Sequence, residues 1–161
     1  MGRSLALNFL DRGINVVGSN LEQEVAHALA VEPDDDGLRV VESLTSLVAA
    51  LRGGDEAVTI LMMIKAGPAV DETLGVLLPL LATGDILIDG GNTHFRETQE
   101  RRERCAQHGV GYVGLGVSGG EKGARFGPSL MAGCSEEEWE TIAPMLQPIA
   151  ASTDWGPSAQ T

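Results

Sequence analysis

Continuous apolar runs, separated by stretches of helical length, constrain the fold of this chain more than any other feature. They cover residues 14–17, 58–64, 85–88 and 110–113. A strand with one solvated face alternates apolar and polar residues, whereas a run that is apolar throughout indicates a strand covered on both faces. Strands that alternate with helices build βαβ units. The sequence therefore predicts an α/β fold with a doubly wound, mostly parallel sheet.

The intervening stretches carry helix signals. Ser43 is a suitable N-cap, Pro68 suits a first helical turn, and Gly109 suits a C-cap. Residues 135–138 form a capping-box pattern. We expect further strands at residues 39–41 and 129–131, and a tail without pattern, residues 152–161, that frays. The predicted helices cover residues 5–10, 22–31, 43–51, 68–78, 94–108 and 135–149.

The composition excludes several classes of function. The 161 residues suit one domain, and the formal net charge of -12 argues against binding to nucleic acid or to anionic membrane surfaces. A phosphate ligand must therefore be held locally, by backbone amides and a few cations. Cys105 and Cys134 form neither a disulfide framework nor a metal cluster, and no leader or membrane segment is evident. We expect a cytoplasmic protein without a bound metal.

Glycine-rich and polar residues follow the predicted strands. Parallel sheets bind ligands at the carboxyl ends of their strands, and residues 18–22, 65–66, 89–92 and 118–120 are all predicted to lie at that edge. The stretch 114–133, GLGVSGGEKGARFGPSLMAG, is interpreted as a loop that wraps a small polar ligand with backbone amides and Ser118. The alternatives are a mobile surface loop for this stretch and a solvated role for Lys65.

These residues carry a specific resemblance. DGGN at residues 89–92 and GVSGGEKGARFGPSLM at 116–131, with IKAG at 64–67 and the opening MGRSLALN, resemble the 6-phosphogluconate dehydrogenase family. The resemblance implies a Rossmann-type dinucleotide-binding domain from an oxidoreductase of the pentose phosphate pathway. That family uses NADP to oxidise 6-phosphogluconate and decarboxylates the intermediate to ribulose 5-phosphate.

The resemblance also implies binding residues, position by position. Gly2 matches the last glycine of the phosphate-binding turn, and residues 20–22 match the adenosine-ribose loop. Asn92 matches a residue that touches both nicotinamide and substrate, and its amide can donate and accept hydrogen bonds. The expected cofactor contacts are Gly2, Asn20, Leu21, Glu22, Ile64, Lys65, Ala66 and Asn92, and the expected substrate contacts are Asn92, Ser118, Gly119 and Gly120.

The chain departs from the family pattern at its start. The first strand and the G-x-G-x-x-G turn have no counterpart except Gly2, and in the strand order 3-2-1-4-5-6 that strand is central. The strands at 14–17 and 58–64 should then face each other across a gap of ~10 Å. Residues 1–151 are thus expected to form an incomplete dinucleotide-binding domain of marginal stability.

Two further departures bear on activity. Leu21 stands where the family has an arginine against the adenosine 2′-phosphate, so the loop should tolerate NAD as well as NADP. We expect the C-terminal all-helical domain, with the family's catalytic lysine and glutamate and its homodimer contacts, to be absent. We therefore assign no catalytic residue and expect the chain alone to be inactive. Two alternatives stay open: a fragment of an NAD-using β-hydroxyacid dehydrogenase, and a non-catalytic ligand-binding or interaction module.

Overall fold

The computed structural model describes residues 1–20, 37–53, 57–153, 156–157 and 159–160. The helix predicted at residues 22–31 lies outside them, as do Leu21 and Glu22. The helices are α1 (Gly2–Asp11), α2 (Leu44–Leu51), α3 (Pro68–Leu77), α4 (Phe95–Ala106), α5 (Gly120–Phe126) and α6 (Glu136–Leu146), with a 3₁₀ turn at Leu78–Leu80. The strands are β1 (Val16–Ser19), β2 (Leu38–Val41), β3 (Thr59–Met62), β4 (Ile86–Asp89), β5 (Gly111–Ser118), β6 (Ser129–Gly133), β7 (Ser152–Thr153), β8 (Gly156–Pro157) and β9 (Ala159–Gln160).

The strands form a mostly parallel sheet that is divided in two. β3, β4 and β5 are parallel neighbours, β6 pairs antiparallel with β5, and β9 pairs parallel with β6. β1 and β2 form a separate parallel pair. Among the described residues no strand joins β1 to β3, so the sheet is interrupted where the sequence predicts the lost central strand. The predicted α/β fold class is confirmed.

Both faces of the larger sheet are covered, which explains the apolar runs. Along β4 the side chains alternate between two core clusters, because successive residues of a strand point to opposite faces. Ile86 and Ile88 join a cluster with α1 and α6, whereas Leu87 joins a cluster with α2 and α3. Val16 and Val17 of β1 are partly buried against these same two clusters. The two pieces of the sheet therefore share their cores, although no strand pairing joins them among the described residues.

A buried asparagine fixes α1 to the second half of the chain. Asn8 is 1% exposed, and its Nδ2 donates to the carbonyl oxygens of Ala124 (3.1 Å) and Ile149 (2.9 Å). Ala124 lies on α5, and Ile149 follows α6. A buried amide without partners would be costly, so these bonds favour one placement of the helix. The position of α1 therefore does not depend on strand pairing alone.

The helix signals at Ser43, Pro68 and residues 135–138 are confirmed, whereas the C-cap of α4 is Gln107 and not Gly109 as predicted. Ser43 Oγ accepts from Ser46 N at 3.1 Å, and Ser135 forms the reciprocal capping box with Glu138. Pro68 opens α3. α4 begins one residue after the predicted start at residue 94, and the glycine at residue 109 adopts a positive φ of 71° beyond its end.

The interpretation of residues 114–133 as a loop is wrong. They form the end of β5, the short helix α5, and β6. Gly114 and Gly116 lie inside β5. Glycine suits both positions because neighbouring side chains occupy the space that a Cβ would need. A Cβ would lie 3.0 Å from Thr98 Cγ2 at the first position and 3.0 Å from Met131 Cε at the second. These glycines thus allow close packing within a strand. Because glycine has no side chain, the sequence shows no apolar pattern that would have predicted this strand.

The structure also differs from the expectation that residues 152–161 fray. β7 pairs with β8, and β9 adds a strand to the outer edge of β6, with Ala159 opposite Leu130. A strand edge offers backbone donors and acceptors to any extended segment. This pairing needs no side-chain pattern, so the sequence gives no sign of it.

Candidate functional site

Two of the predicted binding loops touch each other at the carboxyl ends of β3 and β4. They are the IKAG loop (residues 64–67) and the DGGN loop (residues 89–92). A Cβ at Gly91 would lie 2.4 Å from Ile64 O, closer than real Cβ atoms approach. Only glycine lets the two backbones come this close. The structure therefore brings together two loops that the strand order predicts at one edge.

A buried carboxylate lies beneath the DGGN loop. Asp89 is 2% exposed; its Oδ1 accepts from Gly91 N (2.9 Å), and its Oδ2 accepts from Thr93 Oγ1 (2.6 Å) and Tyr112 Oη (2.7 Å). Burial, reinforced by the bond to Asp89, raises the pKa of Tyr112 far above its usual value, so the phenol remains a donor. Sequence reasoning assigned neither residue a role. The available signal was a charged residue at the end of an apolar strand, which has to find partners.

Asn92 lies on the rim of an open cleft beside this carboxylate. Its φ is 57°, the only positive φ of a non-glycine residue in the part of the chain that the structure describes. Phe95, which is 67% exposed, supplies an apolar wall. The cleft can therefore take a ligand that has both a polar group and a flat apolar face. It measures about 410 Å³ and is lined by Asp89, Asn92, Thr93, Phe95, Thr98, Gly114, Leu115, Gly116 and Gly133.

The predicted substrate contacts lie at the end of the strand that floors this cleft. Alternate residues of a strand share a face, so Ser118 continues the row of Gly114 and Gly116, both of which line the cleft. Ser118 is exposed, and Gly119 and Gly120 have positive φ values of 120° and 62°. A Cβ at the second of these glycines would meet nothing within 4 Å. The three residues thus adjoin the cleft without lining it.

The remaining predicted cofactor contacts follow β1 and begin α1. Gly2 is the first residue of α1, and a Cβ there would lie 3.4 Å from Met63 Cβ, so the start of the helix lies beside the end of β3. Asn20 directly follows β1. In the IKAG loop Lys65 is exposed, whereas Ile64 and Ala66 are partly buried. These positions are consistent with a single binding edge at the ends of the strands. The contact of each residue with a cofactor stays a prediction.

A buried guanidinium anchors the IKAG loop from below. Arg101 is 5% exposed and donates to Gly67 O (3.2 Å) and to both carboxylate oxygens of Asp71 (2.8 Å each). Their mutual hydrogen bonds lower the pKa of Asp71 and raise the pKa of Arg101. The adjoining depression, about 460 Å³, is lined by three carboxylates and two guanidinium groups and has no excess positive charge for an anion.

The described ranges contain neither a membrane-spanning helix nor a metal cluster. None of the helices there combines the length and apolarity that crossing a bilayer demands. No three histidine, cysteine, aspartate or glutamate side chains in those ranges are grouped as a metal ion would require.

Sequence comparison identifies relatives over nearly the whole chain. The family model described as the NAD binding domain of 6-phosphogluconate dehydrogenase matches residues 1–156. The decarboxylating 6-phosphogluconate dehydrogenase of Lactococcus lactis subsp. lactis is 43% identical over 151 residues, which are 94% of this chain and 31% of the relative. That of Staphylococcus aureus is 42% identical over 161 residues and 34% of its length. The chain thus spans about a third of these relatives.

Structural comparison gives the same result. The 6-phosphogluconate dehydrogenase of Plasmodium falciparum, described in apo form and in complexes with NADP+ and with 6-phosphogluconate, superposes with a TM-score of 0.90 and 30% identity. It is matched over 100% of this chain and 34% of its own. The 3-hydroxyisobutyrate dehydrogenase of Mycobacterium tuberculosis superposes with a TM-score of 0.80 at 22% identity, a likeness of fold alone.

Proposed function

The chain belongs to the family of the NAD-binding domain of 6-phosphogluconate dehydrogenase, and on that premise we propose that it holds NADP and 6-phosphogluconate for oxidative decarboxylation to ribulose 5-phosphate. The observation that carries the proposal is the meeting of the IKAG and DGGN loops beside a cleft with one polar and one apolar wall. A nicotinamide ring requires such a surface, because it pairs a flat apolar ring with a hydrogen-bonding carboxamide.

The roles proposed for the side chains follow from their chemistry. Asn92 would orient the carboxamide and the substrate hydroxyl, since its amide both donates and accepts. The Ser118 hydroxyl and the amides of Gly119 and Gly120 would hold the polar groups of the sugar acid, where no bulky side chain intervenes. Bound NADP would supply the hydride acceptor. The chain's own contribution is binding and orientation.

The carboxylate nearest to the cleft is unsuited to proton transfer. Asp89 already accepts three hydrogen bonds from groups of the protein, two of them at one oxygen. A general base must come within hydrogen-bonding distance of the proton that it removes, and this carboxylate is only 2% exposed. The two lysines of the sequence, Lys65 and Lys122, do not match the family's catalytic lysine. We therefore expect ligand binding without turnover when these 161 residues are tested alone.

NADP is the cofactor that we propose, with a weaker preference over NAD than the family pattern implies. The reason is Leu21, which stands in place of an arginine that would pair with the 2′-phosphate. Leu21→Arg should raise the affinity for NADP relative to NAD. An unchanged ratio of the two affinities would contradict this part of the proposal and favour the NAD-using alternative.

Calorimetric titration of the purified chain with NADP, NAD and 6-phosphogluconate tests the proposal. We expect saturable binding of NADP and of 6-phosphogluconate, which Asn92→Ala weakens about tenfold through the loss of its hydrogen bonds. Gln107→Ala, which removes an exposed amide beyond the end of α4, is the matched control and should change neither affinity. Absence of saturable binding would refute the proposal and favour an interaction module. Reduction of either cofactor would refute the expected inactivity.

A further inference from the structure

The contacts of Asp89 surround Asn92 on both sides along the chain. Oδ1 accepts from the backbone N–H of Gly91, and Oδ2 accepts from the hydroxyl of Thr93. Asn92 lies between these two residues, and the bonds that hold the segment come from its neighbours rather than from its own side chain. Its backbone therefore turns within a segment that a single buried carboxylate holds at both ends.

Asn92 needs such support because of its backbone conformation. A φ of 57° places it in the left-handed region, which costs an L-residue free energy, though least for asparagine and aspartate. Strained conformations of this kind persist where the surroundings hold them. The bonds on either side of Asn92 provide that constraint.

Tyr112 completes the arrangement from a neighbouring strand. Its ring is fully buried in the core cluster of α2 and α3, and its hydroxyl donates to Asp89 Oδ2 at 2.7 Å. β5 is paired with β4, so the phenol reaches the carboxylate from within the same sheet. A fully buried hydroxyl cannot touch a ligand. Its influence on the cleft can pass only through Asp89.

The conformation of the DGGN loop also affects the IKAG loop. Besides the close approach of Gly91 to Ile64 O, a Cβ at Gly90 would lie 2.4 Å from Met63 Sδ. Gly90 N donates to Met62 O at 2.9 Å. A displaced DGGN loop would therefore press on the residues that precede Lys65, and both sides of the proposed nicotinamide site would change together.

We propose that Tyr112 and Thr93, acting through Asp89, are positioning residues that hold Asn92 in its left-handed conformation against the ligand. The proposal rests on the proposed function for the role of Asn92, but its structural part stands apart from any ligand. The competing interpretation is that Tyr112 only fills the core. Tyr112→Phe separates the two, because it keeps the ring and removes the hydroxyl.

The ligand experiment uses NADP and 2′,5′-ADP, which carries the adenosine half of the cofactor and lacks the nicotinamide. In the full chain, Tyr112→Phe and Thr93→Val should each weaken NADP binding about tenfold and leave 2′,5′-ADP binding unchanged. Val113→Ala, a buried change on the opposite face of β5, is the control for general loss of stability. It should alter the two affinities equally or leave both unchanged. Equal effects of Tyr112→Phe on both ligands would overturn the proposal.

A second measurement needs no ligand. The three-bond coupling between the amide and α protons of Asn92, measured by NMR, reports its φ. We expect both hydroxyl deletions to shift this coupling and to accelerate exchange of the Gly91 amide, and Val113→Ala to do neither. If the wild type binds no ligand, the proposed function fails while this measurement still decides the structural part. An unchanged coupling in both deletions would overturn it.

Discussion

β1 and β4, one strand from each piece of the divided sheet, are both mainly apolar but have different surroundings. β4 has a partner on each side, and all four of its residues are buried. Among the described residues β1 has one partner, β2, and all four residues of β1 are only partly buried. Both are apolar runs that end in polar or glycine residues. The difference shows that neighbours, rather than the composition of a strand, determine how deeply its residues are buried.

The same contrast extends to the two halves of the proposed site. The three buried charged side chains among the described residues, Asp85, Asp89 and Arg101, all belong to the larger sheet and its helices. Two of them hold the DGGN and IKAG loops directly. Asn20, on the adenosine side, follows the less buried β1. The proposed nicotinamide side is therefore tied by buried charged groups to the core of the larger sheet.

The largest effect on stability is expected from the removal of Asp85, which is 1% exposed and directly precedes β4. It accepts from Arg52 Nη2 (2.7 Å), Val58 N (2.8 Å) and Ala82 N (2.7 Å). Asp85→Ala leaves these donors unsatisfied and should lower the free energy of unfolding by about 3–4 kcal/mol in urea titrations. Arg39→Ala, an exposed change in β2, should stay within about 0.5 kcal/mol. Similar losses of stability in the two variants would contradict the proposed difference between the two pieces of the sheet.

A pair of glycine substitutions compares the loops. A Cβ at Gly91 would collide with Ile64 O, whereas one at Gly18 in β1 would meet nothing within 4 Å. Gly91→Ala should therefore cost about 2–3 kcal/mol of stability and weaken NADP binding, because backbone has to move. Gly18→Ala should be close to neutral. Thermal melts and calorimetry on both variants decide; a tolerated Gly91→Ala would show that the loop is not tightly held.

A matched pair of valine truncations compares the strands themselves. Val113 on β5 is 0% exposed, and Val17 on β1 is partly buried. Val113→Ala should cost about 2 kcal/mol and Val17→Ala under about 1 kcal/mol, because the first leaves a cavity in packed surroundings. Urea unfolding monitored by tryptophan fluorescence measures both. A larger loss at Val17 would reverse the comparison.

The smallest expected effect is a dependence of stability on pH, which arises from Asp85 beside the larger sheet. Burial opposes ionisation of Asp85, but hydrogen bonds from Arg52, Ala82 and Val58 outweigh it and hold its pKa below the usual value. Such a group stabilises the fold above its unfolded pKa of about 3.9, and the contribution is lost as pH falls through the folded pKa. Below about pH 4 the wild type should therefore lose stability more steeply than Asp85→Asn. Parallel slopes in acid titrations of unfolding would contradict this.

The sequence predicted the parts of the fold that side chains encode. The buried strands followed from apolar runs, and the cap at Ser43 and the box at Ser135 followed from residue types with a known local bond. The strand through Gly114 and Gly116 was missed because glycine leaves no pattern to read. β9 was missed because its pairing depends on backbone groups that every extended segment has.

The meeting of the IKAG and DGGN loops was predictable from the sequence, whereas the contacts that support them were not. Asn92 was found from the DGGN motif, and the structure places it on the rim of a cleft. The roles of Asp89 and Tyr112 depend on a contact across two strands and 23 positions of sequence. Spacing along the chain cannot reveal such a contact, since it arises only when β4 and β5 lie side by side.

The outer edge of β3 has a consequence for how this chain behaves in concentrated solution. In the part of the chain that the structure describes, β3 pairs with β4 alone, and its other edge has no strand beside it. The four residues of β3, Thr-Ile-Leu-Met, carry neither charge nor proline, the usual protections against strand addition. At high protein concentration, this edge would serve as a template for pairing with an extended segment of another chain. We therefore expect a strand placed beside this edge to reduce aggregation of the chain.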